Sequence, residues 1–186
     1  KKLRVRGLTG KDMNKIEKPE VAELGGISVI LGISIGIIAA LFLSTYLKIL
    51  ELDLTIILAS FVTILLVSLI GIIDDLIGWK KGIRQYQHAL FPLFAALPLM
   101  ALQAGTSFIV IPFFGPVSIG VLYSLLLVPI AITGASNAFN MLAGLNGLET
   151  GLGIIIISTL TIIALLTGYT EAAILGVAIV GALLAF

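Results

Sequence analysis

The chain has 186 residues, 59% of them hydrophobic and only 11% charged, with a formal net charge of +1 and a mean hydropathy of +1.21. A soluble domain carries roughly 25% charged residues, so this composition excludes an ordinary water-soluble globule. The absence of cysteine excludes disulfides and thiolate metal sites.

Residues 1–23 are hydrophilic and read as a cytoplasmic loop, not a signal peptide, because no basic stub precedes an apolar core. Apolar segments follow at approximately 24–47, 54–73, 88–104, 118–142, 150–170 and 172–186. A helix needs about 20 apolar residues to cross ~30 Å of hydrocarbon. The pattern therefore predicts an all-α polytopic membrane protein, a multi-helix transmembrane bundle of about six spans in a single domain covering 1–186. The start at Lys1 and the stop at Phe186 inside a short apolar stretch read as truncation of a longer protein at both ends. Between Gln85 and Leu148 lie 64 residues without Asp, Glu, Lys or Arg, divided by Gly105, Pro112, Gly115, Pro116 and Gly120. Within them, the β-branched and aromatic connector from Thr106 to Ser118 predicts a short β-hairpin on the external side.

Basic residues set the orientation. Lys1, Lys2, Arg4, Arg6, Lys11, Lys15 and Lys18 precede the first span, and Lys80, Lys81 and Arg84 follow the second. Only Lys48 falls on the other face, so ten of the eleven mark one side as cytoplasmic. Counting crossings carries residues 1–23, 74–84 and 137–149 to that same face. Such convergence suits a site fed by a soluble substrate from the cytosol and a lipid substrate from the bilayer.

Asp74 and Asp75 close the uncharged 20-residue run from Leu54 to Ile73. Ionisable groups at a spanning segment are costly to place and mark a functional site by default. Neighbours on a helix point about 100° apart, so the pair can divide two tasks. One is holding Mg²⁺ directly or through water; the other is accepting a proton or hydrogen bond from a phosphate nucleophile. The plainer reading is a pair of interfacial acids where a helix leaves the membrane, partly neutralised by Lys80 and Lys81.

A second constellation runs from Gly134 to Glu149. Asn137 and Asn140 stand one turn apart and share a helix face. An Asn carbonyl is a neutral oxygen ligand for Mg²⁺, and its amide donates to phosphate. Gly144 and Gly147 loosen the backbone so that Asn146 can approach a ligand from a turn, offering both a donor and an acceptor, as the edge of uracil does. The alternative is that Asn137 and Asn140 hydrogen-bond between helices. The third segment, Gly10 to Gly26, has mixed charge and reads as a loop; alone it is no more than a basic flank. Arg84 is either an orienting charge or a fork for phosphate. His88 reads as a helix start and Trp79 as an interfacial anchor.

Taken together, Gly10-Lys-Asp-Met-Asn-Lys15, Gly71-Ile-Ile-Asp-Asp75 and Asn137-Ala-Phe-Asn-Met-Leu-Ala-Gly-Leu-Asn-Gly-Leu-Glu149 resemble the polyprenyl-phosphate N-acetylhexosamine-1-phosphate transferase family, glycosyltransferase family 4, across essentially the whole chain. Ala143-Gly144, where the bacterial peptidoglycan branch has Asp-Gly, points to the dolichyl branch and its archaeal relatives. The resemblance implies an Mg²⁺-dependent transfer, with Mn²⁺ as the alternative ion, of GlcNAc-1-phosphate from UDP-GlcNAc to a polyprenyl or dolichyl phosphate, releasing UMP. It implies that Asn140 is a metal ligand and Asn146 recognises uracil. Lys11, Asp12, Met13 and Glu23 would form the nucleotide-sugar loop, with residues 133–141, including Asn137, on the lipid-phosphate side. Asp74 and Asp75 would be the acidic pair of the reaction, their division of roles left open. Arg84 replaces a Lys associated with phosphate contact, and Gly78 stands where relatives often have Asn or Asp. The second metal-binding Asp and the sugar-selecting loop would lie beyond Phe186, so the 186 residues alone are expected to be inactive.

The implied partners are UDP-GlcNAc, the lipid phosphate and the bilayer, with no nucleic acid; a homodimer is compatible with this reading. The expected location is the plasma membrane of an archaeon or bacterium, with the endoplasmic reticulum as the eukaryotic counterpart. A UbiA-type prenyltransferase is a competing class, but it would want a second Asp-rich motif. A transporter or bundle subunit with an aspartate ion relay is another, but it would place such groups nearer the membrane midplane.

Overall fold

The computed structural model describes residues 9–11, 16–17, 20–22, 25–81, 85–142 and 147–186. They form two compact units, one made of residues 1–52 and 141–186 and the other of residues 53–140. Seven α-helices and two short antiparallel ribbons are present among the described residues.

In the first unit, β1 (Thr9–Lys11) pairs antiparallel with β2 (Glu20–Ala22), setting Gly10 opposite Val21. The segment expected to be a plain loop thus contains a ribbon. Three apolar helices follow: α1 (Gly26–Thr45), α6 (Leu148–Thr167) and α7 (Thr170–Ala185). α7 packs against both of the others. Gly32 and Gly36, one turn apart on α1, let Ala182 and Ala178 of α7 approach so closely that a Cβ on either glycine would stand 3.0 Å from the alanine methyl. Helices in lipid associate through such small-residue contacts, because hydrocarbon offers no hydrophobic drive between them. Ile33, Ile37 and Ala40 bury the same side of α1.

The second unit begins with α2 (Leu54–Lys81). Asp53 caps it: Oδ1 accepts from the backbone N–H of Thr55 at 2.9 Å and of Ile56 at 3.2 Å, satisfying two of the first-turn donors that no helix can pair internally. α3 (Gln85–Ala95) and α4 (Leu97–Ala101) then pack along α2. The segment read from sequence as one apolar stretch is therefore broken at Ala96. Pro98 sits at the start of α4, where a missing N–H costs nothing but a continuous helix would lose a bond. Next comes a hairpin of β3 (Phe108–Ile111) and β4 (Gly115–Ser118), with Phe108 opposite Ser118 and Ile111 opposite Gly115. A single wide turn over Tyr123–Leu127, in which the N–H of Val128 reaches the carbonyl of Tyr123, leads into α5 (Val128–Leu142).

Four helical stretches are long and apolar enough to cross a membrane: Gly26–Thr45, Leu54–Asp74, Tyr123–Leu142 and Leu148–Thr167. Leu90–Ala101 and Thr170–Ala185 are shorter apolar helices. At most 17% of any of the four spanning windows is buried, so their outward surfaces are Leu and Ile. A water-exposed bundle does not present such faces, whereas hydrocarbon requires them, with every backbone bond closed inside the helix. The expected polytopic helical membrane protein with a short hairpin is borne out.

Candidate active site

α2 does not stop where its apolar run stops. It continues through Asp74 and Asp75 to Lys81, so the acidic pair lies inside a helix, about two turns before its end, instead of at a helix terminus. Twenty residues separate Leu54 from Asp74, a rise of about 30 Å, which matches the hydrocarbon thickness of ~30 Å. The carboxylate of Asp74 therefore arrives at the level where a helix entering at Leu54 leaves the hydrocarbon.

Asp74 is half-buried and edges a cavity of about 300 Å³ between α2 and α3. The remaining wall is apolar: Leu66, Leu69, Ile70 and Ile73 from α2, with Phe91, Phe94 and Ala95 from α3. Both sets recur at the 3.6-residue period that puts side chains on one face. One carboxyl group thus borders a space that otherwise offers only hydrocarbon. Asp75 is the next residue of the same helix, about 100° around its axis.

The asparagine pair lies on α5, in the same unit. The amide nitrogen of Asn137 donates to the backbone carbonyl of Thr133 at 2.9 Å, so this side chain is tied to its own helix. Asn140, one turn further, carries an exposed side chain. Thr133 was not singled out from sequence as a functional residue of its own. Its carbonyl receives the Asn137 amide, and its own Oγ1 is buried without a hydrogen-bond partner. The four-residue spacing of Thr133 and Asn137 was the available signal.

Of the nucleotide-loop candidates, Lys11 lies in β1 opposite Glu20, in the first unit. Glu149 is exposed in the first turn of α6, just after Gly147, whose φ of 80° is left-handed; glycine adopts that conformation without steric cost. Asp12, Met13, Glu23, Arg84 and Asn146 lie outside the described residues.

Among the described residues, no three His, Cys, Asp or Glu side chains cluster to form a protein-only metal cage. A magnesium site does not require one. Mg²⁺ keeps several waters and takes one or two protein oxygens together with substrate phosphates. The hard oxygens of Asp74 and Asn140 fit that ion by donor type.

Residues 56–186 match the sequence profile of the family described as Glycosyl transferase family 4. A protein of Saccharolobus solfataricus named "Putative UDP-N-acetylglucosamine--dolichyl-phosphate N-acetylglucosaminephosphotransferase" is 40% identical over 84% of this chain and 45% of its own length. A Sulfolobus acidocaldarius protein of the same name is 39% identical over 89% of this chain and 49% of its own length. A phospho-N-acetylmuramoyl-pentapeptide-transferase of Limosilactobacillus reuteri is 37% identical over 64% of this chain and 38% of its own length. The chain spans about half the length of the first two relatives.

Proposed function

The chain belongs to glycosyl transferase family 4, and from that premise we propose that it forms part of a membrane enzyme transferring GlcNAc-1-phosphate from UDP-GlcNAc to a polyprenyl or dolichyl phosphate. The observation that carries this reading is the carboxylate of Asp74 at the mouth of the apolar cavity between α2 and α3. A polyprenyl phosphate has the matching layout, a hydrocarbon chain for the cavity and a polar head for the edge, where a shared proton or a cation would offset the like charges of phosphate and carboxylate. The names of the archaeal relatives support the choice of substrates.

In the proposed reaction an oxygen of the lipid phosphate attacks the sugar-bearing phosphorus of UDP-GlcNAc. A new P–O bond forms, the bond to the bridging oxygen breaks, and UMP departs with that oxygen. Asp74 and Asp75 hold the proton and orientation of the attacking phosphate and would help to hold a cation. Asn140 would supply a neutral oxygen to that cation from α5, and Asn137 stiffens its own turn of α5 through Thr133. Arg84 and Lys11 offset the negative charge that accumulates on the lipid phosphate and the diphosphate, as electrostatic stabilisation of phosphoryl transfer requires. Asp12, Met13 and Glu23 shape the nucleotide-sugar loop, and Asn146 reads uracil through its donor and acceptor. Bound Mg²⁺ would supply charge neutralisation across the diphosphate.

On this reading the site faces the cytoplasm. Ten of the eleven basic residues lie in the segments 1–18 and 80–84, which the positive-inside bias assigns to the cytoplasm, and one return pass through α3 and α4 brings α5 out on the same side as the end of α2.

Membranes containing the protein, given radiolabelled UDP-GlcNAc, polyprenyl phosphate and Mg²⁺, should yield labelled lipid and stoichiometric UMP. Release of UMP with no labelled lipid, or no reaction, would reject the assignment.

A further inference from the structure

The β3–β4 hairpin has the surface of a membrane-contacting element, not of a solvated connector. No Asp, Glu, Lys or Arg occurs from Gln85 to Leu148, so the whole hairpin is uncharged. Its tip is aromatic: Phe113 is fully exposed and Phe114 almost wholly so, while Phe108 and Val110 are exposed along β3. Phe113 holds a φ of 71°, a left-handed conformation uncommon for a bulky residue. The base of the hairpin is polar by contrast. The carbonyl of Ser107 accepts from the N–H of both Ile119 and Gly120 at 2.9 Å, and Gln103, Thr106, Ser107, Tyr123 and Ser124 line a cavity of about 300 Å³ there.

Two physical demands conflict in such an element. The outer edges of a two-stranded ribbon leave backbone groups that hydrocarbon cannot satisfy. The exposed rings, in turn, are unfavourable in water. The headgroup boundary meets both demands, because it hydrates the edges and accepts aromatic rings. Continuity supports that placement: the apolar helix Leu90–Ala101 leads in, and the spanning stretch Tyr123–Leu142 leads out. Pairing with a strand of a second copy is disfavoured, since Pro116 withholds a backbone donor from β4. An acidic or basic partner would find no charge to meet.

We propose that the hairpin docks on the lipid bilayer itself, lying in the headgroup zone with the rings of Phe113 and Phe114 inserted among the upper acyl carbons. The hairpin thereby acts as a surface float that holds the start of α5 and the end of α4 at a fixed depth. This inference stands apart from the transferase reading.

The test uses tryptophan as a depth probe. Trp79 is the sole tryptophan of these 186 residues, so Trp79→Phe combined with Phe114→Trp, with any tryptophan outside them also changed to Phe, gives one reporter, read in phosphatidylcholine–phosphatidylglycerol vesicles containing brominated lipids. Insertion predicts blue-shifted emission and about twofold quenching by bromines placed high on the acyl chain, with weaker quenching by deep ones, as an interfacial ring requires. Red-shifted, unquenched emission would put the tip in water and overturn the proposal. Blue-shifted emission without quenching would mean that protein covers it, and would overturn the proposal equally. Should the Phe114 variant fail to fold, Phe113→Trp in the same background reads the same depth.

Discussion

Asn137 spends its side-chain amide on the carbonyl of Thr133, 2.9 Å away and one turn back along α5. Asn140, on the same face, is exposed. One member of the motif is thus tied by an amide hydrogen to its own helix, and the other is exposed.

The division predicts different outcomes for two alanine variants of the full-length protein. Asn140→Ala should lower turnover about a hundredfold or more, a barrier increase of about 2.7 kcal/mol, with an unchanged melting temperature. Asn137→Ala should cost about 1 kcal/mol of stability through the lost hydrogen bond and reduce turnover far less. Radiolabel transfer and thermal unfolding in detergent, measured side by side, check both; equal effects on activity would remove the distinction.

The acidic pair and its cavity make separable predictions. Asp75→Asn should cut kcat about a hundredfold, because a neutral amide does not take up a proton at this pH and holds a cation less strongly than a carboxylate does. Leu69→Trp, a change at the exposed rim of the cavity, should raise KM for polyprenyl phosphate severalfold and leave KM for UDP-GlcNAc in place. A parallel rise in both constants would show that the cavity does not hold the prenyl chain.

Chelation bears on the cofactor. EDTA should abolish transfer, and Mg²⁺, or less effectively Mn²⁺, should restore it. In Asn140→Ala the concentration of Mg²⁺ giving half-maximal rate should rise, since one oxygen donor is gone. Full activity in excess EDTA would end the metal assignment.

Packing in the other unit is tested at Gly176. A Cβ there would fall on the hydroxyl of Thr161 across the α6–α7 contact. Gly176→Val should destabilise by about 1–3 kcal/mol through overpacking, and adding Thr161→Ala should recover part of the loss. Because the two residues touch, their effects should be non-additive in a double-mutant cycle of thermal unfolding.

The spanning helices and the hairpin were legible because hydrocarbon imposes a long uninterrupted apolar run and a ribbon needs β-branched residues between turn formers. The extent of α2 was not. Charge ends a membrane span without ending a helix, and nothing from Asp74 to Lys81 forbids helical geometry; Gly78 merely weakens it. The break at Ala96 was signalled by Pro98, but a proline near a helix start and one inside a helix look alike until the chain is folded, and α3 indeed carries Pro92 within it. The β1–β2 ribbon has three residues in each strand, too few for alternation to register. At the site, residue chemistry singled out Asp74, Asn137 and Asn140. The apolar cavity escaped notice because it exists only once Phe91 and Phe94 of α3 lie beside Ile70 and Ile73 of α2.

The unbroken course of α2 from Leu54 to Lys81 has a mechanical corollary. A rigid rod transmits twist, so inserting one alanine anywhere between Val62 and Ile70 would swing both aspartates by about 100° about the axis while leaving hydropathy and length almost untouched. The angular place of the acidic pair on the helix is thus encoded in the number of aliphatic residues preceding it, which makes the apolar stretch a spacer as much as a membrane crossing.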